Sequence, residues 1–265
     1  MTRRLVVLAV GLAALVLGAP PAVALPDPVP CVGCWIPDLQ TSWQWQLQGR
    51  VDTSLGVQMY DVDGFDAAPR LVRRIHDAGA AAVCYISAGS WEEWRPDADA
   101  FPEEVLGRNN GWPGERWLDI RELDVLAPIM GARMDMCADK GFEGIEFDNV
   151  DGYQNRTGFD LTKGDQAAYN AWLANEAHAR GLSAALKNDL GQVEKLLPYF
   201  DYALNEQCFQ YDECDLLLPF VDAGKAVFGV EYRLETDEFC PQANAMDLNF
   251  LKKKLSLRAW RVPCR

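Results

Sequence analysis

One phrase repeats along the chain: a helical stretch, a glycine at its end, then a short apolar run. Leu71-Val-Arg-Arg-Ile-His-Asp-Ala-Gly79 leads into Ala81-Ala-Val-Cys-Tyr-Ile86, and residues 132 to 141 lead into Gly144-Ile-Glu-Phe147. Residues 168 to 181 lead into Ser183-Ala-Ala-Leu186, and residues 216 to 224 into Ala226-Val-Phe-Gly-Val230. Glycine at such a point suits the left-handed residue that closes a helix, so each is a helix-to-strand joint. Adding Trp43 to Leu47, Val57 to Tyr60, Arg116 to Leu118 and Tyr202 to Leu204 makes eight candidate strands. Eight strands, mostly separated by helical patterns, predict a single-domain α/β fold, a (β/α)8 TIM barrel, over residues 41–265. The alternative is an open doubly wound sheet. That fold normally carries a glycine-rich phosphate loop after an early strand, and no Gly-x-Gly-x-x-Gly or Walker sequence occurs.

The two ends of the chain read differently. Arg3 and Arg4, the apolar run Leu5 to Leu17 and Ala22-Val23-Ala24 read as a signal peptide over residues 1–24, which predicts a secreted protein. That apolar run is shorter than the roughly 20 residues that span a bilayer. Residues 25–40 are proline-rich and read as an extended leader. The whole chain carries a net charge of −14; losing the two signal arginines leaves 23 basic against 39 acidic residues, or −16. Such a surface disfavours nucleic acid and anionic membranes and attracts a cationic ligand. All eight cysteines fall after residue 24, an even number suited to an oxidising compartment. The spacing suggests pairs 31–34, 84–137, 208–214 and 240–264. Zinc is the rival reading for Cys31-x-x-Cys34, although no second such motif or paired histidines complete a tetrahedral site.

In barrels of this kind the residues at the C-terminal strand ends face the active-site mouth. Polar residues gather there: Asp61 and Asp63, then Ser87, then Asp119 and Arg121 around "WLDIR". Asp148, Asn149 and Asp151 follow "GIEF", Lys187, Asn188 and Asp189 follow "SAAL", Glu206 follows "DYALN", and Glu231 and Tyr232 follow "VFGV". A strand-end aspartate is often no more than a helix cap or a turn former, and Asp189 fits the capping role best. Asp148 sits directly on the last strand residue, and Glu206 is a poor cap at the end of a strand. The only histidines, His76 and His178, lie just before helix-ending glycines, where a cation complements the helix dipole, so both read as structural. A Ser-His-Asp triad or a histidine metal centre is thereby disfavoured. Paired carboxylates with aromatics such as Trp45 and Tyr85 are the equipment of glycoside hydrolysis. A divalent metal held by Asp148, Asp151 and Asp61 ranks second.

The segments "WQWQL", "YISAGSWE", "GWPGERWLDIR", "GIEFDNVDGY", "LKNDLGQV", "NEQCFQYDEC" and "VFGVEY" resemble glycoside hydrolase family 114, the endo-α-1,4-polygalactosaminidase family of TIM-barrel enzymes. The resemblance runs from about Trp43 to Tyr232. It implies an endo-acting hydrolase of α-1,4-linked galactosamine polymers, working without cofactor or metal. It also implies that Asp148 and Glu206 are the catalytic pair, with Asp148 the nucleophile and Glu206 the acid/base of a retaining mechanism. Phe147 stands where many relatives have proline. Trp45, Asp61, Tyr85, Ser87, Asp119, Arg121, Asn149, Asp151, Lys187, Asn188, Glu231 and Tyr232 are then the expected substrate-binding residues. Of these, Arg121 and Lys187 are expected to pair with neighbouring carboxylates. The expected partner is a cationic polysaccharide, with no nucleic acid or membrane, and the protein is expected to be a monomer. Rival readings are a non-catalytic carbohydrate-binding barrel and a glycosidase for another cationic glycan.

Overall fold

The computed structural model describes residues 25–265; the expected signal peptide, 1–24, lies outside them. The first three strands are β1 (Trp43–Gln46), β2 (Met59–Asp63) and β3 (Ala81–Ser87). Next come β4 (Ser90–Glu92), β5 (Leu106–Asn109) and β6 (Glu115–Leu118). They are followed by β7 (Gly144–Asp148), β8 (Ser183–Lys187) and β9 (Tyr202–Glu206). The last are β10 (Val227–Glu231), β11 (Asn249–Lys252) and β12 (Val262–Pro263). The helices are α1 (Pro69–Asp77), α2 (Leu123–Lys140), α3 (Lys163–Ala179), α4 (Val193–Leu196), α5 (Leu218–Asp222) and α6 (Thr236–Ala245).

Eight strands pair in parallel in the order β1-β2-β3-β7-β8-β9-β10-β11, and β12 adds an antiparallel ninth to β11. This is the (β/α)8 architecture of one domain. The four joints behave as their glycines require: Gly79, Gly141, Gly181 and Gly224 take φ of 78°, 88°, 75° and 72°, where a Cβ would be strained.

Strand membership departs from the expected set at two places. Arg116 to Leu118 is not a barrel strand. It belongs to β6, the centre of a separate antiparallel sheet ordered β4-β6-β5, built from the long segment after β3. The eighth parallel strand is instead β11, whose "NFLK" alternates too briefly to announce itself.

Among the described residues no ladder joins β1 to β11, and the C-terminal segment fills the seam. Leu47 N donates to Leu257 O at 3.0 Å, Arg261 Nη1 to Trp43 O at 2.9 Å, and Gln44 Nε2 to Ala259 O at 2.8 Å. Cys240–Cys264 ties this segment to α6. The other bridges are Cys31–Cys34, Cys84–Cys137 and Cys208–Cys214, so all four expected pairs are present.

The period-two alternation of strands sorts residues into two layers. Val83, Ala185, Tyr202, Leu204, Phe228 and Val230 fill the barrel interior with Trp43, Trp45 and Met59. Their neighbours, such as Ile86, Ile145, Phe147, Leu186 and Ala203, face the helices. Along β7 this leaves Glu146 and Asp148 pointing inward.

Candidate active site

The C-terminal strand ends open onto a cleft of about 450 Å³. Asp148 from β7 and Glu206 from β9 stand on its floor, with Lys187 of the intervening β8 between them. The Lys187 ammonium lies 2.8 Å from Asp148 Oδ1, 3.0 Å from Glu146 Oε1 and 3.3 Å from Glu206 Oε2. It also sits 4.7 Å from the Trp45 ring centroid, where the π face adds attraction. Trp45 in turn donates its indole N–H to Glu146 Oε2 at 3.0 Å. Tyr85 OH donates to Asp148 Oδ2 at 2.8 Å, and Tyr232 OH donates to Glu206 Oε1. Asn188 accepts the Glu206 backbone N–H at 3.0 Å and reaches Glu206 Oε2 at 3.4 Å. Asp148 is thus held by three donors, Lys187, Tyr85 and, at 3.4 Å, Asn149 Nδ2, the first of them a cation. Burial alone would raise its pKa, but Lys187 and the Tyr85 hydroxyl outweigh that and hold it below the ordinary value.

The backbone is sharply turned at these positions. Asn149, Asn188 and Gln207 each follow the strand-end residue of adjacent strands, and all are left-handed, with φ of 62°, 52° and 66°. Such non-glycine conformations are uncommon and concentrate at functional sites, because the surrounding structure must hold them. Here they swing the chain away immediately after Asp148, Lys187 and Glu206, leaving those side chains open to the cleft. Gly89 makes this possible on β7's flank: a Cβ there would lie 1.7 Å from the Asn149 carbonyl oxygen.

Nine of the expected residues line the one cleft: Asp148, Glu206, Trp45, Tyr85, Asn149, Asp151, Lys187, Asn188 and Tyr232. Five do not. Asp61 faces inward but two residues below the rim, fully buried beside Glu146, and burial followed by the Glu146 charge pushes its pKa well up. Ser87 is also buried and acts through Asn149, whose Nδ2 donates to Ser87 Oγ at 3.0 Å. Glu231 has the opposite strand parity from Phe228 and Val230; it accepts the Phe209 and Gln210 N–H groups at 2.9 and 3.3 Å. Asp119 and Arg121 lie beyond β6 and bond each other at 2.6 and 2.7 Å. The three carboxylates considered for a metal are likewise not gathered. Among the described residues the one three-ligand grouping is Cys31, His178 and Asp201, and Cys31 is in a disulfide.

The β4-β6-β5 sheet contributes a wall that the sequence reading missed. It brings Glu92, Trp94, Arg95, Trp112 and Glu115 to the cleft. Arg95 chelates Asp63 and Glu92 at 2.7 to 3.0 Å. Glu115 Oε2 accepts Ser90 Oγ at 2.9 Å, and Ser90 continues to Ser87 and Asn149. The signal was the density of acid and tryptophan in "SWEEWRPD", which carries no strand period.

Several acids around the site have raised pKa values. Burial, then the charge of Asp148, pushes Asp151 up to about 6; burial, then Asp151, pushes Asp189 up to about 8; burial pushes Glu231 up to about 7. A folded pKa above the unfolded one means stability that is complete below about pH 4 and lost as pH rises through the folded value. The urea midpoint is therefore expected to fall between pH 4.5 and 7, by at least about 1 kcal/mol of unfolding free energy. Above pH 7 the buried Lys253, lowered to about 7 by burial, acts in the opposite sense. Asp189→Asn should flatten the decline; an unchanged slope in that variant would refute the assignment.

Residues 30–265 match glycoside-hydrolase family GH114. The crystal structure of Aspergillus fumigatus Ega3 in complex with galactosamine is similar, with TM-score 0.83 and 38% identity, over 87% of this chain and 97% of that one. The glycoside hydrolase domain of PelA from Pseudomonas aeruginosa shares the fold, with TM-score 0.67 and 14% identity, over 83% and 97% of the two chains. An uncharacterised protein of Deinococcus radiodurans is 26% identical over 251 residues, 80% of this chain and 79% of that one.

Proposed function

The chain belongs to glycoside-hydrolase family GH114 and is a glycoside hydrolase; on that basis we propose that it is a secreted, endo-acting hydrolase of α-1,4-linked galactosamine polymers. The galactosamine held by Ega3 supports the sugar. The four disulfides suit an oxidising, extracellular compartment. A net charge of −14 favours a polymer carrying ammonium groups. Exposed Trp94, Trp112 and Leu255 along the lining of the cleft suit a long chain lying across it.

The observation that carries the mechanism is the lysine shared by two carboxylates. Asp148 Oδ1 and Glu206 Oε2 are 2.8 and 3.3 Å from one nitrogen, so they are closer together than the roughly 6.5 Å at which inverting pairs begin. That separation supports a retaining, double-displacement route. Asp148, held ionised, attacks the anomeric carbon, while Glu206 protonates the departing glycosidic oxygen. The glycosyl ester on Asp148 is then hydrolysed by a water that Glu206 deprotonates. In the first step negative charge leaves Asp148 and appears on Glu206. Lys187 touches both, so its cation offsets the charge at either stage without moving.

The test is incubation with α-1,4-galactosamine oligomers of defined length, read by mass spectrometry and by NMR of the first product. Internal cleavage with an α-anomeric first product is the expected result. Intact oligomers alongside turnover of another glycan would overturn the substrate, and a β-anomeric first product would overturn retention.

A further inference from the structure

At the opposite end of the barrel from the cleft, the N-terminal leader carries a feature that hydrolysis does not use. Cys31-Val-Gly-Cys34 closes on itself as a disulfide between residues only three apart, where Cys84–Cys137 spans 53. A ring so small restricts the unfolded chain least, so it has the weakest case as a stability staple. It is also the bridge with both sulfurs nearest solvent. Val32 at its tip is 90% exposed and both its cysteines are half-buried, whereas Cys84 and Cys137 are 0% exposed, Cys208 and Cys214 are 0% and 5% exposed, and of Cys240 and Cys264 only Cys264 is half-buried.

The polypeptide brings a histidine–aspartate pair to this disulfide. His178, in the last turn of α3, bonds Asp201 Oδ2 through Nε2 at 2.9 Å and meets the Val29 carbonyl through Nδ1. Cys31 Sγ lies within 4.8 Å of ligand atoms on both. It is also 3.3 Å from the Leu182 carbonyl oxygen, within reach of a thiol donor. Burial opposes the imidazolium, but Asp201 outweighs it and raises the His178 pKa; Lys225, ahead of β10, acts weakly the other way. A cation beside a cysteine sulfur favours its thiolate and makes it the better leaving group.

We infer that Cys31 and Cys34 form a thiol–disulfide exchange site, with the His178–Asp201 pair seated beside the Cys31 sulfur and a thiol as its reaction partner. The thiolate of the partner attacks Cys34 Sγ; the Cys31–Cys34 bond breaks and its electron pair leaves on Cys31 next to the imidazolium. A second partner thiolate attacks the partner sulfur of the mixed disulfide, releasing Cys34 as a thiolate that takes a proton. Two partner thiolates are oxidised to one disulfide, and the protein gains two electrons; Cys34 takes one proton from solvent, while Cys31 stays a thiolate paired with the imidazolium. This site is independent of the glycosidase reading.

The experiment equilibrates the full mature protein in graded dithiothreitol or glutathione buffers at pH 7, followed by alkylation and mass spectrometry of each cysteine. Cys31 and Cys34 should become labelled together under conditions that leave the other six oxidised. After mild reduction, the pH profile of alkylation should place the Cys31 thiol below the ordinary value of about 8.5, and His178→Gln should move it back toward that value. Glycosidase turnover, followed in parallel, should not change. Reduction of this pair no earlier than the others, or a Cys31 profile that is ordinary and unmoved in His178→Gln, would overturn the inference.

Discussion

Asp148→Asn is expected to fold like the parent and to lose essentially all turnover, at least about 10³-fold, because an amide can neither form the glycosyl ester nor carry the charge that Lys187 is placed to compensate. Glu206→Gln should also be severely slowed, by roughly 10² to 10⁴-fold on a natural glycoside, where the leaving oxygen needs a proton. The two variants separate when the leaving group is changed. An aryl glycoside with an acidic phenol departs without protonation, so Glu206→Gln should still form the glycosyl-enzyme rapidly and stall at its hydrolysis, giving a burst. Asp148→Asn should give no burst with any leaving group. A burst in Asp148→Asn and none in Glu206→Gln would exchange the two roles, and near-parental turnover in either would remove that residue from the chemistry.

Lys187→Met is expected to damage both folding and catalysis. The side chain is 1% exposed and contacts Glu146, Asp148 and Glu206, and Glu146 is itself wholly buried. Removing one member of a buried ionic cluster leaves the others uncompensated, typically at about 3–5 kcal/mol. The pH dependence identifies the cause. In the parent, Asp148 is held below its ordinary pKa, so its contribution is present above about pH 4 and is lost as pH falls through the folded value. Without the lysine, the carboxylates take raised folded pKa values, and the penalty is complete above those values and relieved as pH falls through them. The difference in unfolding free energy between parent and variant should therefore shrink from pH 7.5 to pH 5. Urea melts at several pH values measure it directly; a difference that is constant with pH, or below about 1 kcal/mol, would mean that the lysine does not neutralise the cluster.

The negative charge is expressed unevenly at the site. Asp63 and Glu92 are engaged by Arg95, and Asp119 by Arg121. Asp151 lines the same cleft and has no ion-pair partner among the described residues. With its pKa pushed up to about 6, it gains its full charge only near neutrality. A cationic sugar bound beside it would draw that proton off earlier.

Which parts of this arrangement were legible in sequence follows from the range over which each is determined. Helix closure is local, so the four glycines located their joints. The parity of a strand is local too, so Ile145 and Phe147 against Glu146 and Asp148 could be sorted within "GIEFD". That the strand-end residues are polar was equally visible. Glu231 shows the limit: it stands at a strand end, yet its parity turns it away from the barrel interior. Its neighbour Tyr232 reaches the cleft instead.

What the sequence determined by itself was seven of the eight barrel strands' junctions with their loops and the polar residues carried there, because hydrophobic alternation and helix caps act over a few residues. The tertiary structure decided the rest. Only parallel pairing set β8 between β7 and β9 and so put Lys187, 39 residues from Asp148, between two carboxylates. Only the free edge of β10 made a barrel strand of Asn249–Lys252, four residues too few to show a period. The fold-back of β4, β5 and β6 over the mouth likewise depends on where β3 ends in space. Each of these outcomes is a contact between segments far apart in the chain, and such contacts leave no periodic trace in the residues that make them.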